Sequence, residues 1–166
     1  MPALHKLSLA MVCVALSGCM SMPVESLKKP APEKSAELLI TRSPSFFAGG
    51  VTAAVGTQNK AFVHLDNREY AIIQLPAGDH EIFVRARTAA PISLDVTLKA
   101  GQRTCMRIRA DDADTASKTI GLLARIRPGS LLAEGYFFIP YLIDCPEDEK
   151  FFSAYKQVKI QYAEQP

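Results

Sequence analysis

Ile92-Ser93-Leu94-Asp95-Val96-Thr97-Leu98-Lys99 is the stretch on which the fold turns. Apolar and polar side chains alternate through it without a break, the period of an extended strand with one face on a core and the other in water. On either side lie short runs of the same kind. Residues 38–42, 51–57, 61–65, 70–75 and 80–87 read as strands, separated by Pro44, Gln58-Asn59, Asp66-Asn67-Arg68-Glu69 and Pro76-Ala77-Gly78-Asp79. The last is the strongest turn signal, because Pro76 presets its φ and Gly78 accepts a positive one. Downstream, Ala100-Gly101-Gln102 turns into a strand over 104–109, and 118–126 and 135–143 supply two more. The run 135–143 is apolar on both faces, and Pro140 assigns it to a sheet edge or a bulge.

Near the C-terminus the period changes. Phe151, Tyr155, Val158 and Tyr162 fall on one face of a helix, with Pro146, Glu147, Asp148 and Glu149 suited to its first turn. Many short strands at close spacing predict a mainly β chain, an antiparallel β-sandwich-like domain over 37–166 with a C-terminal helix packed on the sheet.

The chain opens differently. Met1 to Lys6 is short and basic, residues 7–16 are apolar, and Leu16-Ser17-Gly18-Cys19 follows. The apolar run is about half of the ~20 residues that a spanning helix needs, so it reads as the core of a signal peptide. The tetrapeptide resembles the lipobox of bacterial lipoproteins. That resemblance implies cleavage after residue 18, acylation of Cys19 and a stable multi-chain anchor on a membrane outside the cytoplasm. Met20 stands where an aspartate often marks retention in the inner membrane, so the resemblance favours the outer membrane, facing the periplasm. Residues 1–18 are then a lipoprotein signal peptide and 19–36 the lipidated cysteine and a flexible tether. The stretch 20–36 is rich in Pro, Lys, Glu and Ser without a core-forming period, and would reach at most about 55–60 Å.

The precursor carries 19 basic and 17 acidic residues, a formal charge of +2, and loses one lysine with the leader. A nearly neutral chain has no nucleic-acid footprint. Of the 4 cysteines, Cys13 leaves with the leader and Cys19 takes the lipid. Cys105 and Cys145 remain in a compartment that permits a disulfide, with two free thiols or a metal pair as the competing readings.

A second resemblance lies in Ile40-Thr41-Arg42, Val63-His64-Leu65-Asp66-Asn67 and Tyr70-Ala71-Ile72-Ile73-Gln74-Leu75-Pro76-Ala77-Gly78-Asp79-His80-Glu81-Ile82. Residues 38–110 look like a family of bacterial lipoproteins of unknown function, with an arginine-bearing strand, a hairpin and a leucine-proline-x-glycine-x-histidine turn. The resemblance implies a module that binds or spaces, and brings no catalytic residues with it.

Few constellations suggest chemistry. His64 and Asp66 would share a strand face, and with His80 beyond the turn they form the one candidate metal or acid–base cluster; otherwise each histidine bonds the backbone. Asp111-Asp112-Ala113-Asp114-Thr115-Ala116-Ser117 lacks the glycine and terminal glutamate of a calcium loop and reads as a solvated acidic loop. Arg103, Arg107 and Arg109 share a face with Cys105. If Arg85 and Arg87, and Arg125 and Arg127, align with them, a guanidinium strip for phosphates or carboxylates results; the alternative is a wet face paired with acids. The reading is a non-enzymatic, membrane-anchored envelope lipoprotein without a cofactor, working through an unknown envelope protein or polymer. A carrier with an apolar pocket lined by 135–143 and the terminal helix is the alternative, and a metal-dependent hydrolase comes third.

Overall fold

The strand that organises the molecule is β1, Ser35–Arg42, whose Leu38-Leu39-Ile40-Thr41-Arg42 run is buried on both faces. A continuous apolar run suits a strand with neighbours on both sides and cover above and below. The computed structural model describes residues 23–46, 48–86, 91–111, 137–147 and 149–163. Within them β2 is Ala53–Gly56, β3 Ala61–Leu65, β4 Glu69–Pro76, β5 Gly78–Ala86 and β6 Ile92–Leu98. β7 is Arg103–Asp111, β8 Phe137–Ile143, α1 Glu149–Ser153 and β9 Lys156–Gln157.

Two sheets face each other, one ordered β8-β7-β1-β4-β9 and the other β3-β2-β5-β6. Ala36, Leu38 and Ile40 of β1, Ala71, Ile73 and Leu75 of β4, and Met106 and Ile108 of β7 point into the shared core. From the other sheet come Val55, Val63, Leu65, Ile82, Val84, Val96 and Leu98. The alternation seen in residues 92–99 is realised as β6, with Ile92, Val96 and Leu98 buried and Asp95 and Thr97 in water. Burying such side chains contributes about 1.5–3 kcal/mol each.

Most of the described strand pairs are antiparallel, as the sandwich reading expects, while β1 runs parallel to β7 and β4 parallel to β9. β7 reaches its sheet from β6 in the other sheet, through the 99–102 turn, and enters beside the start of β1: Glu37 lies opposite Arg103. The Pro76–Gly78 turn likewise carries the chain from one sheet to the other, and Gly78 takes a φ of 134°. β8 is an edge strand, so Pro140, opposite Ile108, sits where a missing N–H costs least.

The C-terminal helix is present but stops at Ser153. Phe151 lies on it, whereas Val158 and Tyr162 belong to extended chain beyond β9. Lys156 N–H bonds the Arg68 carbonyl and Val158 N–H the Tyr70 carbonyl, at 2.9 and 2.8 Å. The edge of β4 thus offers the backbone partners that a longer helix would have found within itself.

The described part of the expected tether also lies on the domain. Glu25 N–H bonds the Ala61 carbonyl at 3.1 Å, and Leu27 exchanges bonds with Gln161 and Ala163 at 2.9 Å each. Leu27 packs against the core, and Lys60 pairs with Glu25 at 2.7 Å. A 3-10 turn, Pro32–Lys34, then leads into β1. The leader, Cys19, Arg87, the acidic run after Asp111 and the predicted strand over 118–126, with Arg125 and Arg127, lie outside the described residues.

Candidate functional site

Strand β7 carries four of the residues singled out in the sequence. Met106 and Ile108 face the core, so Arg103, Cys105, Arg107 and Arg109 line the opposite, outer face of the five-stranded sheet. Cys105 and Cys145 are joined by a disulfide. Arg103 pairs with Glu37, its Nε at 2.8 Å and a terminal nitrogen at 2.7 Å from one carboxylate oxygen. Arg107 lies under the Phe151 ring, 5.6 Å from the centroid, and Arg109 is half-buried.

A cover explains this burial. Thr41 stands in register between Tyr70 and Arg107. Phe152 packs on Tyr70 at 5.2 Å and Phe151 on Arg107, so α1 spans the sheet above Thr41. Tyr155 stacks on Phe151 at 4.8 Å. The arginines share one face, as their spacing requires, but Arg107 lies beneath the C-terminal segment while Arg103 stays exposed beside Glu37. Arg85 projects from the outer face of the other sheet, because Val84 and Ala86 take the inner one. A single strip running from Arg85 to Arg103, Arg107 and Arg109 is therefore ruled out by the sandwich itself.

The histidine cluster does not assemble either. His64 lies opposite Ala54, which lies opposite Arg85, on the outer face of the four-stranded sheet. His80 has the parity of Ile82 and Val84 and bonds the Pro76 carbonyl through Nε2 at 2.8 Å. The two rings are thus on opposite faces of one sheet. Asp66, past the end of β3, accepts from Thr52 Oγ1 at 2.6 Å. Among the described residues no group of His, Cys, Asp and Glu is placed to hold a metal. The apolar run 137–143 is also committed: Phe138 is in the core and Ile139 is buried.

One cluster was invisible to periodicity. Arg42 is fully buried, donating to the Leu65 carbonyl at 2.8 Å and the Ala48 carbonyl at 2.6 Å, with its guanidinium 4.7 Å from the Phe138 ring. Burial lowers its pKa from the ordinary arginine value, and the carboxylates of Asp66 and Glu69 push the other way. Around it, Asn67 exchanges bonds with the Ser45 backbone at 2.9 and 3.2 Å. Glu69 accepts the Asp66 N–H at 2.8 Å and pairs with Lys156 at 3.2 Å. This network closes one end of the sandwich; both terminal nitrogens of Arg42 are bonded, and its buried Nε makes no hydrogen bond.

The opposite end is different. Lys28, Lys29 and Lys34, with Pro30, Ala31, Pro32 and Pro76, line an open cleft of about 670 Å³. All three lysines are exposed, so their charged side chains reach the solvent at this end. Beside the cleft, burial pushes the Tyr162 phenol up in pKa, a hydrogen bond from Gln74 N–H at 2.7 Å pulls it down, and Glu37 adds to the rise. Periodicity marked residues 20–36 as featureless; their lysines gain a common location only because the segment docks.

No family model matches the chain, and neither a curated protein nor a solved structure matches it. Among the described residues no helix is long and apolar enough to cross a membrane.

Proposed function

We propose that this protein is an acylated envelope lipoprotein, anchored through Cys19 to the periplasmic face of the outer membrane, with a non-enzymatic role in binding or spacing an envelope protein or polymer. The Cys105–Cys145 disulfide carries the reading. Such a bond persists in an oxidising compartment, where a lipobox-like leader would deliver the chain. The fate of the arginines and histidines is consistent with it: Arg103, His80 and Asp66 bond within the fold, and Arg107 lies against the Phe151 ring. From the apolar 137–143 run, Phe138 enters the core and Ile139 is buried, whereas Leu142 stays exposed.

The test is expression with the native leader, followed by detergent phase partition and intact mass. The chain is expected in the detergent phase, beginning at Cys19 and carrying acyl mass, and Cys19→Ser is expected to abolish that mass. A wild-type chain recovered in the aqueous phase with a free Cys19 thiol defeats the anchor. Cross-linking in intact envelopes is expected to join it to a defined protein or polymer. Co-purification of a stoichiometric small molecule instead would move the function to a carrier.

A further inference from the structure

Val24 pairs parallel to β3 at Ala61, the first residue of that strand. Val24 therefore lies at the end of the domain that carries the β2–β3 hairpin, residues 57–60. The registers assign the same end to the start of β1, the Pro76–Gly78 turn and the 99–102 turn, since Ser35 faces Pro76, Gly78 faces Leu98 and Glu37 faces Arg103. The lysine-lined cleft lies at that end, with Pro76 in its wall. The Arg42 network closes the other end, beside Leu65 and Ala48.

Docking changes the arithmetic of the anchor. Four residues separate Val24 from Cys19, so five Cα–Cα steps give a reach of at most about 18 Å. The longest described strands, β5 and β7 with 9 residues each, are roughly 30 Å long. An acylated Cys19 sits at headgroup level, so a leash this short holds the hairpin end down and the Arg42 end away. We propose that the leash end of the sandwich rests on the bilayer, with Lys28, Lys29 and Lys34 seated on the phosphates of anionic phospholipid headgroups. The inference rests on acylation of Cys19. Ammonium groups within a Debye length of an anionic leaflet are attracted to it, an attraction that salt weakens.

The test uses the full mature chain purified from membranes, with Cys19 acylation first established by mass; an unacylated chain overturns both this inference and the anchor. Fluorophores are attached at Asn59→Cys, at the leash end, or Gly50→Cys, at the far end. The protein is placed in phosphatidylethanolamine–phosphatidylglycerol vesicles carrying a headgroup nitroxide. Quenching is expected to be strong for the Asn59 probe and weak for the Gly50 probe. It should fall at least severalfold in pure phosphatidylcholine, at high salt, or when Lys28→Glu, Lys29→Glu and Lys34→Glu are combined. These lysines are exposed, so the triple variant is expected to fold, and unchanged near-ultraviolet circular dichroism checks it. Equal quenching of the two probes overturns the orientation while the acylated mass leaves the anchor standing. Quenching indifferent to phosphatidylglycerol and to the lysines overturns the headgroup contact.

Discussion

Arg42 carries its guanidinium into the end of the sandwich core, with both terminal nitrogens on main-chain carbonyls and a ring beneath it. Those carbonyls, of Leu65 and Ala48, depend on it because little water reaches them. Arg42→Met fills similar volume but leaves both carbonyl acceptors without a donor. We expect urea unfolding to show a loss of about 2–6 kcal/mol, from about 1–3 kcal/mol for each buried carbonyl left unpaired. Arg42→Lys should lose less, keeping the charge but not the planar fork. Gly56 is a second strict position. The β2–β3 register shifts there, and a Cβ would overlap the Lys60 carbonyl oxygen and lie 2.8 Å from Ala61 Cα. Both are backbone atoms that cannot swing aside. Gly56→Ala should cost about 1–3 kcal/mol by the same measurement, as overpacking does.

The C-terminal segment is held as a cover rather than as an independent helix. Phe151 and Phe152 grip Arg107 and Tyr70, the disulfide ties Cys145 to β7, and Tyr162 accepts a bond from the β4 backbone at Gln74. Five helical residues are too few to persist alone, so packing decides their fate. Since the Tyr162 pKa is raised in the folded state, its contribution to stability is complete below the ordinary tyrosine value of about 10. That contribution is lost as pH climbs through the raised value. Thermal unfolding should therefore show an alkaline loss of stability that Tyr162→Phe flattens, and phenolate absorbance should show one late-titrating tyrosine that the variant removes. The same ring lies where Leu27 pairs, so alkaline release of Tyr162 should also increase hydrogen exchange at Leu27.

At the scale of the whole molecule, the disulfide acts through the unfolded chain. Its sequence separation of 40 corresponds to about 4 kcal/mol of chain entropy removed from the unfolded state, an upper figure if the reduced chain retains structure. Denaturant unfolding with and without a reductant should show a drop of about 2–4 kcal/mol, and Cys105→Ala with Cys145→Ala should reproduce it. A smaller drop would mean that α1 and the aromatic stack hold the cover unaided. A domain seated by its leash end would present its other end, around residues 45–52 and 66–69, to the envelope interior.

The mainly β character, the strand positions around Leu38, Phe62, Ile73, Ile82 and Val96, the turn at Gly78 and the pairing of Cys105 with Cys145 were all legible before folding was considered. Each depends on neighbours in the chain or, for the cysteines, on elimination. Alternation records which side of a strand is dry, and that holds whatever sheet the strand joins. Contacts far apart in the chain were not legible. No periodicity reports that β1 and β7 run parallel, that Arg42 is buried while Arg103 is exposed, or that His64 and His80 lie on opposite sides of a sheet. The docking of 23–34 belongs to the same group: Leu27 finds Gln161 and Ala163 only after both ends of the chain meet at the β4 edge. Sequence period sets the local backbone state; layer, face and partner are set by which distant surfaces exclude water together.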